Sequence, residues 1–466
     1  MPMSSSRPDV DTLAALDRAH LVHPVSAWRQ HEERGPMVLS TGRGAWLTDA
    51  RGNELLDAFA GLWCVNVGYG QESVVQAATA QLRTLPYATG YFGFASEPAI
   101  RLAAKLVEIT PPSLTRAYLT LGGSEAVDAA VRFIVQYWNA RGRSTKKHFI
   151  SLDRGYHGSS STGAGLTALP AFHRGFDLPL PTQHYIPSPN PYRHPQGSDA
   201  PSLIAASVAA LRAKVAELGA HNVAAFFCEP IQGSGGVIVP PVGWLKAMRE
   251  AARELDILFV VDEVITGFGR TGPMFASEAE GVDPDLMTLA KGLTAGYVPM
   301  GATMLSEEVY AAIADAAPAG APIGHGATYS AHPVGAAVAL EVLRLYDEGG
   351  ILANGQRVAR HFAAGLDALR AHPLVGDARH RGLLGALELV SDKASGRGFD
   401  AALGLPDRLF AAAYRNGVIF RCFGDSILGF APALTYTQAE FEQLFLRLRR
   451  TLDDVLAVPE VRAALA

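Results

Sequence analysis

The sequence predicts an α/β protein built on a mostly parallel central sheet, and three observations support this prediction. Between about residues 116 and 303, short apolar runs alternate with segments of helical spacing, which is the pattern of a doubly wound sheet. The runs between Leu258 and Lys291 are bounded by glycines, as is typical of buried parallel strands. Apolar residues make up 48% of the 466 residues, which is enough for a large core and, at this length, favours two domains.

The predicted strands of the sheet are five short runs, at residues 117–120, 147–151, 223–228, 258–261 and 286–290. Helical spacing predicts helices at residues 72–85, 98–109, 126–140 and 334–346. Two apolar runs, 37–39 and 45–47, flank a turn at 41–44 and predict a β-hairpin. The proline-rich stretch 179–201 and the glycine- and alanine-rich stretch 318–328 are expected to be connections.

The order of these elements predicts how the chain divides. The N-terminal hairpins in residues 1–70 and the C-terminal residues 334–466, with strands expected at 385–390 and 417–421, are expected to form one smaller α+β domain. Residues 71–333 are expected to form the large domain with the parallel sheet.

Charge and composition exclude several classes of function. The formal net charge of -5 gives no electrostatic case for binding nucleic acid or an anionic membrane. No stretch has the length and apolarity of a signal peptide or a membrane span. Cys64, Cys228 and Cys422 lie far apart, without disulfide or metal-ligand spacing. We therefore expect a cytoplasmic protein.

The stretch from Leu258 to Lys291 is the strongest candidate for a site. Asp262 follows the first apolar run of this stretch, and Lys291 follows the second. Because open α/β sheets bind ligands at the carboxyl ends of their strands, these two side chains are expected to meet in one site. An acid that can pair with a ring nitrogen and a lysine that can form a Schiff base are what pyridoxal phosphate (PLP) chemistry requires.

Asp262 and Lys291 also admit other interpretations. A buried strand ending in Asp-Glu also holds magnesium in ATPases, but that function requires a phosphate loop with a Gly-Lys pair, and no lysine of this chain follows a glycine. Alternatively, Asp262 is a solvated strand-end residue and Lys291 a surface lysine.

Four further positions have both a functional and a structural interpretation. The run from Gly122 to Glu125 between a strand and a helix suits a phosphate, yet glycine-rich turns of this kind are common. Tyr156 could stack on a cofactor ring or be partly buried. Trp63 lies in a pocket wall or in the core. For Arg421 the functional interpretation is that it binds a substrate carboxylate, and the structural one is that it is solvated, as most arginines are.

Taken together, the motifs resemble those of the class III PLP-dependent aminotransferases, and within them the ω-amino acid or amine:pyruvate transaminases. The resemblance spans about residues 20–456. It is specific because several segments occur in a fixed order, namely GLWCVNVGYG at 61–70, EPIQG at 229–233, VDEV at 261–264, GFGRTG at 267–272 and AKG at 290–292.

The resemblance implies a PLP-dependent transferase of fold type I. Lys291 is then the residue that bonds covalently to the cofactor, and Asp262 pairs with the pyridine nitrogen. Val264 and Tyr156 are expected to press on the two ring faces. The remaining residues that the resemblance assigns to the cofactor are Gly123 and Ser124 at the phosphate, Thr328 of the partner subunit, His157 and Glu229.

The resemblance also implies a substrate pocket at a homodimer interface, in a dimer or a tetramer of two dimers. Trp63 and Val25 are expected to form its wall, with Tyr156 beside them. Tyr91 and Phe92 are expected to come from the neighbouring subunit. Arg421 is expected to bind a substrate carboxylate and to swing out for a plain amine.

The sequence departs from the family pattern at informative positions. Leu121-Gly122 stands where many relatives have Asn-Ser, so the phosphate site lacks one hydroxyl donor. Aminobutyrate-converting members carry a glutamate at Ser234 and a glutamine at Ile265. Without that glutamate Arg421 has no built-in partner, which favours the amine:pyruvate branch. Val25 replaces a frequent aromatic residue, which changes the outer wall of the pocket.

The function expected from these residues is a ping-pong transfer of an amino group from an amine or ω-amino acid to a keto acid, with pyruvate as the expected acceptor. Two alternatives remain at this point. A decarboxylase or aminomutase of the same fold would use the same residue types. A non-catalytic PLP-binding protein would have little use for both Asp262 and Lys291.

Overall fold

The computed structural model describes residues 9–194, 199–424 and 426–465. Residues 1–8 of the helix-like N-terminal stretch and residues 195–198 of the predicted connection lie outside the described residues. The helices are α1 (Val10–His20), α2 (Trp28–Arg34), α3 (Ala60–Trp63), α4 (Glu72–Thr84), α5 (Glu97–Ile109), α6 (Gly123–Ala140), α7 (Ser161–Leu166), α8 (Ala200–Leu218), α9 (Trp244–Glu254), α10 (Glu307–Ala316), α11 (Pro333–Tyr346), α12 (Ile351–Leu369), α13 (Leu405–Arg415), α14 (Gln438–Leu456) and α15 (Pro459–Ala463).

The strands form one large and two small sheets. They are β1 (Leu39–Arg43), β2 (Trp46–Asp49), β3 (Glu54–Asp57), β4 (Leu114–Thr120), β5 (His148–Leu152), β6 (Gln183–Ile186), β7 (Val223–Cys228), β8 (Leu258–Asp262), β9 (Leu286–Leu289), β10 (Gly301–Ser306), β11 (Val375–Arg381), β12 (Leu384–Leu389), β13 (Val418–Ile419), β14 (Arg421–Cys422) and β15 (Ile427–Phe430).

The large sheet has seven strands in the order β4-β10-β9-β8-β7-β5-β6. Pairing is parallel from β9 through β8, β7 and β5 to β6. Only β10 among these strands runs against its two neighbours. The predicted mostly parallel α/β sheet is therefore confirmed, and the carboxyl ends of β4, β5, β7, β8 and β9 lie along one edge.

Helices bury both faces of this sheet. Successive side chains of a strand point to opposite faces, so Phe227 lies in one buried apolar cluster with Ile134 of α6, while Phe226 lies in another with Met248 of α9. Full burial of each such side chain contributes about 1.5–3 kcal/mol. Among the helices of the described ranges, none is both long enough and apolar enough to cross a membrane.

The two small sheets contain the segments from the two ends of the chain. One has the order β1-β2-β3-β13 and the other β11-β12-β15-β14. β3 and β13 pair in parallel, with Leu56 opposite Val418 and Asp57 opposite Ile419. N- and C-terminal segments thus share a sheet, while the domain boundaries at 70 and 333 stay a prediction.

A buried arginine joins the connection after β8 to the C-terminal part of the chain. Arg270 is fully buried, and its guanidinium donates hydrogen bonds to Asn66 Oδ1 at 2.6 Å and to the carbonyl oxygens of Leu383 and Pro432 at 3.1 and 2.5 Å. Burial lowers the pKa of Arg270 to about 10. Since breaking a buried charged network is costly, this side chain fixes the loop that follows Asp262.

Two local predictions were wrong. The stretch 179–201 contains a strand, because β6 pairs in parallel with β5, with Phe149 opposite Gln183. Its sequence, QHYI, is too short and polar to carry a strand pattern, so tertiary pairing decides its conformation. The predicted turn at 41–44 is also shorter. Arg43 pairs with Trp46, and Gly44 turns the chain with φ +59°, as two-residue hairpin turns require.

Candidate active site

A cavity of about 820 Å³ opens at the carboxyl ends of the parallel strands. Its position follows from the topology, because parallel strands deliver their carboxyl ends to one edge. The sequence-predicted residues that line it come from separate parts of the chain and are Val25, Trp63, Gly123, Ser124, Tyr156, His157, Glu229, Asp262, Val264, Lys291 and Arg421.

Asp262 ends β8 and is 4% exposed. Its Oδ2 lies 2.9 Å from Nδ1 of the buried His157, and its Oδ1 accepts a hydrogen bond from the backbone N–H of Val264 at 3.1 Å. Burial alone would lower the pKa of His157, but the hydrogen bond to Asp262 and the charge of this carboxylate outweigh it and raise that pKa. The pair therefore holds one Asp262 oxygen in a fixed direction.

Glu229 follows β7 and joins two loops of the cavity wall. Its Oε1 accepts a hydrogen bond from the backbone N–H of Tyr156, and its Oε2 accepts one from the N–H of Gly233, each at 2.9 Å. Burial raises the pKa of Glu229 to about 7, against the opposing charge of His157. Because both carboxyl oxygens accept hydrogen bonds from backbone N–H groups, Glu229 is a positioning residue for Tyr156.

Lys291 lies two residues after the end of β9, the neighbour of β8. It has φ +42°, a backbone conformation that costs a residue with a side chain about 1–3 kcal/mol and is concentrated at functional sites. Its Nζ lies 6.0 Å from the centre of the Tyr156 ring. Burial lowers the pKa of Lys291, although the charges of Asp262 and Glu229 oppose this shift. A neutral amine at this position can act as nucleophile or base.

The turn between β4 and α6 lines the cavity and is packed so closely that there is little space for a side chain at its glycine or at the neighbouring Gly158. A Cβ on Gly123 would lie 3.1 Å from Val264 Cγ1, and one on Gly158 would lie 2.7 Å from Ser124 Oγ. Ser124 Oγ accepts a hydrogen bond from the N–H of Ser159 at 3.1 Å. The 18-residue helix α6 starts here, so its free N–H groups and its dipole favour an anion.

The opposite wall of the cavity is aromatic. Trp63 is buried and stacks on Phe423 with ring centroids 6.4 Å apart, and the Arg421 guanidinium lies 5.5 Å from the centre of the Phe423 ring. Phe172 meets Tyr156 edge-on at 5.4 Å. The sequence prediction missed Phe172 and Phe423. Phe423 could have been found two residues after Arg421 in an alternating run, whereas Phe172 carries no local signal.

Three predicted residues lie away from this cavity. Tyr91 and Phe92 are 36% and 91% exposed, and a Cβ on Gly326 would lie 2.6 Å from Tyr91 Oη. The carbonyl oxygen of Thr328 accepts a hydrogen bond from Tyr87 Oη at 2.9 Å. Segments near residues 87–94 and 326–331 thus pack together and present aromatic side chains to the outside of the chain.

The residues present fit PLP, the cofactor implied by the sequence. An amine, a buried carboxylate and the N-terminus of α6 are the groups that its aldehyde, its ring nitrogen and its phosphate require. Tyr156 and Val264 offer an aromatic and an aliphatic surface in the same cavity. The volume of the cavity lies within the range of small-molecule sites.

Comparison with known proteins extends this fit to the whole chain. The family model "Aminotransferase class-III" matches residues 28–452. A putrescine–pyruvate aminotransferase of Pseudomonas aeruginosa is 41% identical over 447 residues, which cover 95% of this chain and 96% of that protein.

Solved structures agree with these sequence matches. An (S)-enantioselective ω-transaminase of Thermomicrobium roseum superposes with a TM-score of 0.94 at 37% identity, over 97% of this chain and 100% of that one. An ω-transaminase of Pseudomonas jessenii in complex with PMP superposes with a TM-score of 0.93 at 37% identity, over 95% and 98% of the two chains. The match over nearly the full length, together with the fold, shows that the chain belongs to the class III aminotransferases, which use pyridoxal phosphate.

Proposed function

We propose that this aminotransferase moves the amino group of a simple amine or ω-amino acid to pyruvate. One observation carries the proposal: Lys291 and Asp262, at the ends of the adjacent strands β9 and β8, line a single cavity. The similarity to a putrescine–pyruvate aminotransferase and to ω-transaminases supports this choice of substrates.

The residues of the cavity would hold PLP by its three polar ends. Lys291 would bond to its aldehyde carbon, Asp262 would pair with its ring nitrogen, and Gly123 and Ser124 would hold its phosphate at the start of α6. His157 and Glu229 would act on these contacts indirectly, since their hydrogen bonds fix Asp262 and the backbone of Tyr156. When bound, PLP withdraws electrons from the carbon that carries the substrate's amino group.

Lys291 is the residue that would move the proton in this reaction. When the substrate amine displaces Lys291 from the cofactor, the Lys291 Nζ would be a free amine, and burial lowers its pKa. A neutral Nζ would take the proton from the amine-bearing carbon of the substrate and return it to the aldehyde carbon of the cofactor, on the other side of the amino nitrogen. The aromatic wall of Trp63, Phe423 and Phe172 limits the entry of water to this proton transfer.

The proposal is tested by separating the two halves of the reaction. Addition of an amine to the holoenzyme without any keto acid should abolish the visible absorbance band of the bound cofactor, and pyruvate should restore it. This outcome would demonstrate storage of the amino group between substrates. Release of carbon dioxide from an amino acid, with no effect of pyruvate, would contradict the proposal and identify a decarboxylase.

Arg421 is expected to separate substrates with a carboxylate from those without one. It lines the cavity, and Ser234, which also lines it, has no carboxylate to occupy the guanidinium. Replacing Arg421 with Gln should raise KM for an ω-amino acid such as β-alanine by about 10- to 100-fold, because a charged hydrogen bond contributes about 1.5–3 kcal/mol. The KM of butylamine, which has no carboxylate, serves as the internal control. Equal changes for both substrates would contradict this role.

We further propose that a homodimer completes the site. The predicted contributors Tyr91, Phe92 and Thr328 lie outside the cavity of their own chain. Phe92 and Phe94 are 91% and 66% exposed, and an exposed aromatic patch of this kind is typical of an interface. In a two-fold symmetric dimer each chain would supply these residues to the other.

Mixing two inactive variants tests this sharing. Lys291→Ala removes the amine, and Thr328→Glu places a negative charge against the phosphate of the neighbour. In a mixed dimer one site then has both defects and the other has none, so about one quarter of the wild-type activity should return after subunit exchange. Thr328→Ser, which keeps the hydroxyl, is the control and should stay active. Failure of the mixture to regain activity, with exchange verified by mass, would exclude a shared site.

A further inference from the structure

Asp17, His23 and His31 form a cluster at the N-terminal end of the described chain. Asp17 lies on α1, His31 on α2, and His23 on the connection between these helices. The Nε2 atoms of His23 and His31 lie 2.6 and 2.7 Å from the two carboxylate oxygens of Asp17. The two imidazole rings are 4.1 Å apart. One donor atom from each residue can be chosen so that all three lie within 4.8 Å of one another.

The cluster is well ordered by its surroundings and only partly open to water. The exposed fractions of the three side chains are 11%, 30% and 19% in chain order. The carbonyl oxygen of His23 accepts hydrogen bonds from Ser26 Oγ at 2.9 Å and from Trp28 Nε1 at 3.3 Å. These two hydrogen bonds support the backbone at His23, and the three side chains of the cluster converge from two helices and their connection.

We propose that Asp17, His23 and His31 bind a divalent transition-metal ion, with Zn²⁺ as the reference ion. Two imidazoles and one carboxylate are a donor set that such ions prefer. Metal–ligand bonds of about 2.0–2.2 Å need donor atoms a little more than 3 Å apart, so a small outward movement of the two rings would admit the ion. Each ring would bind the ion through the lone pair of Nε2 as the neutral tautomer that carries its proton on Nδ1, and water would complete the coordination.

The position of this site gives metal binding a defined structural effect. His23 is followed directly by Pro24 and Val25, which line the active-site cavity. α2 is also held at its far end by Arg34, whose guanidinium binds Asp407. A metal ion would fix the segment that carries this part of the cavity wall. An effect on substrate choice rests on the proposed function, whereas the metal site itself does not.

Titration of the tag-free holoenzyme with zinc chloride alone, in buffer without amines or thiols, tests the site. We expect one Zn²⁺ per chain with micromolar affinity. His23→Gln and His31→Gln each remove one of three ligands but keep a group that can hydrogen-bond to Asp17, so each should bind at least about tenfold more weakly. His20→Gln is the matched control, since His20 is exposed on α1 outside the cluster, and it should bind like the wild type.

Cobalt(II) provides a second measurement that needs no variant. Binding through imidazole and carboxylate should give weak visible bands and a higher unfolding midpoint. An intense thiolate-to-metal band would locate the ion at cysteine and overturn the proposal. So would the absence of zinc binding by the wild type at micromolar concentration, or equal affinity in all three histidine variants. These readouts use the metal alone and do not depend on transaminase activity.

Discussion

Replacing Lys291 with Ala should lower kcat for amino transfer from an amine to pyruvate by at least about 10⁴-fold. The change would remove both the group proposed to bond to the cofactor and the base proposed to move the substrate proton, and proton transfer alone accounts for about 10²–10⁴-fold. The measurement is steady-state production of alanine from pyruvate, with the variant checked for fold by its far-ultraviolet circular dichroism.

Lys246→Ala is the matched control for this experiment. Lys246 is exposed on α9, on a helix that covers the sheet away from the cavity, and its loss should leave kcat within about twofold, as for most surface changes. A Lys291→Ala enzyme that retains near-normal turnover would show that another amine performs the chemistry. The assignment of Lys291, and with it the proposed mechanism, would then be wrong.

Replacing Asp262 with Asn should lower kcat by about 10²–10³-fold while the protein remains folded. Asn keeps the size of the side chain and an oxygen for the hydrogen bond from His157, but it removes the buried negative charge. In the proposed site this charge would keep a proton on the ring nitrogen of the cofactor, and loss of one preorganised electrostatic contact in a buried site lowers the rate by about this factor. The measurement is kcat for both half-reactions by rapid mixing.

The matched control for this variant is Asp315→Asn at an exposed position on α10. Its kcat should equal that of the wild type. The Asp262→Asn variant should also bind PLP, since Lys291 and the start of α6 are unchanged. A variant with full cofactor content and normal kcat would exclude a catalytic role of the Asp262 charge.

The two predicted losses differ because the two residues act on different atoms. In the proposed mechanism Lys291 would move a proton itself, and burial lowers its pKa in the direction that this role needs. Asp262 would act through its charge, and its carboxylate is oriented by the contact with His157. Glu229, whose pKa burial raises to about 7, is about half ionised near neutral pH, and its two oxygens hold the backbone of Tyr156 and Gly233. Asp262 is therefore the carboxylate that would be aimed at the cofactor, and Glu229 a positioning residue.

The sequence by itself determined the class of the fold and the chemistry of the site. Apolar runs identified five of the seven strands of the large sheet but not β6 or β10, and Asp262 and Lys291 followed from the rule that ligands bind at the carboxyl ends of parallel strands. These inferences are possible because a buried strand consists of consecutive apolar residues, which can be read from a short stretch of sequence.

Only the tertiary structure decided which distant residues contact each other in the candidate active site. His157 and Asp262 meet although they are 105 positions apart in the chain, and Phe172 enters the wall of the cavity without any local pattern. The strand β6 exists because β5 offers it a partner. The cluster of Asp17, His23 and His31 likewise depends on how two short helices pack. Each of these features depends on segments separated in sequence, and a local pattern of apolar and polar residues carries no information on which segments will pack together.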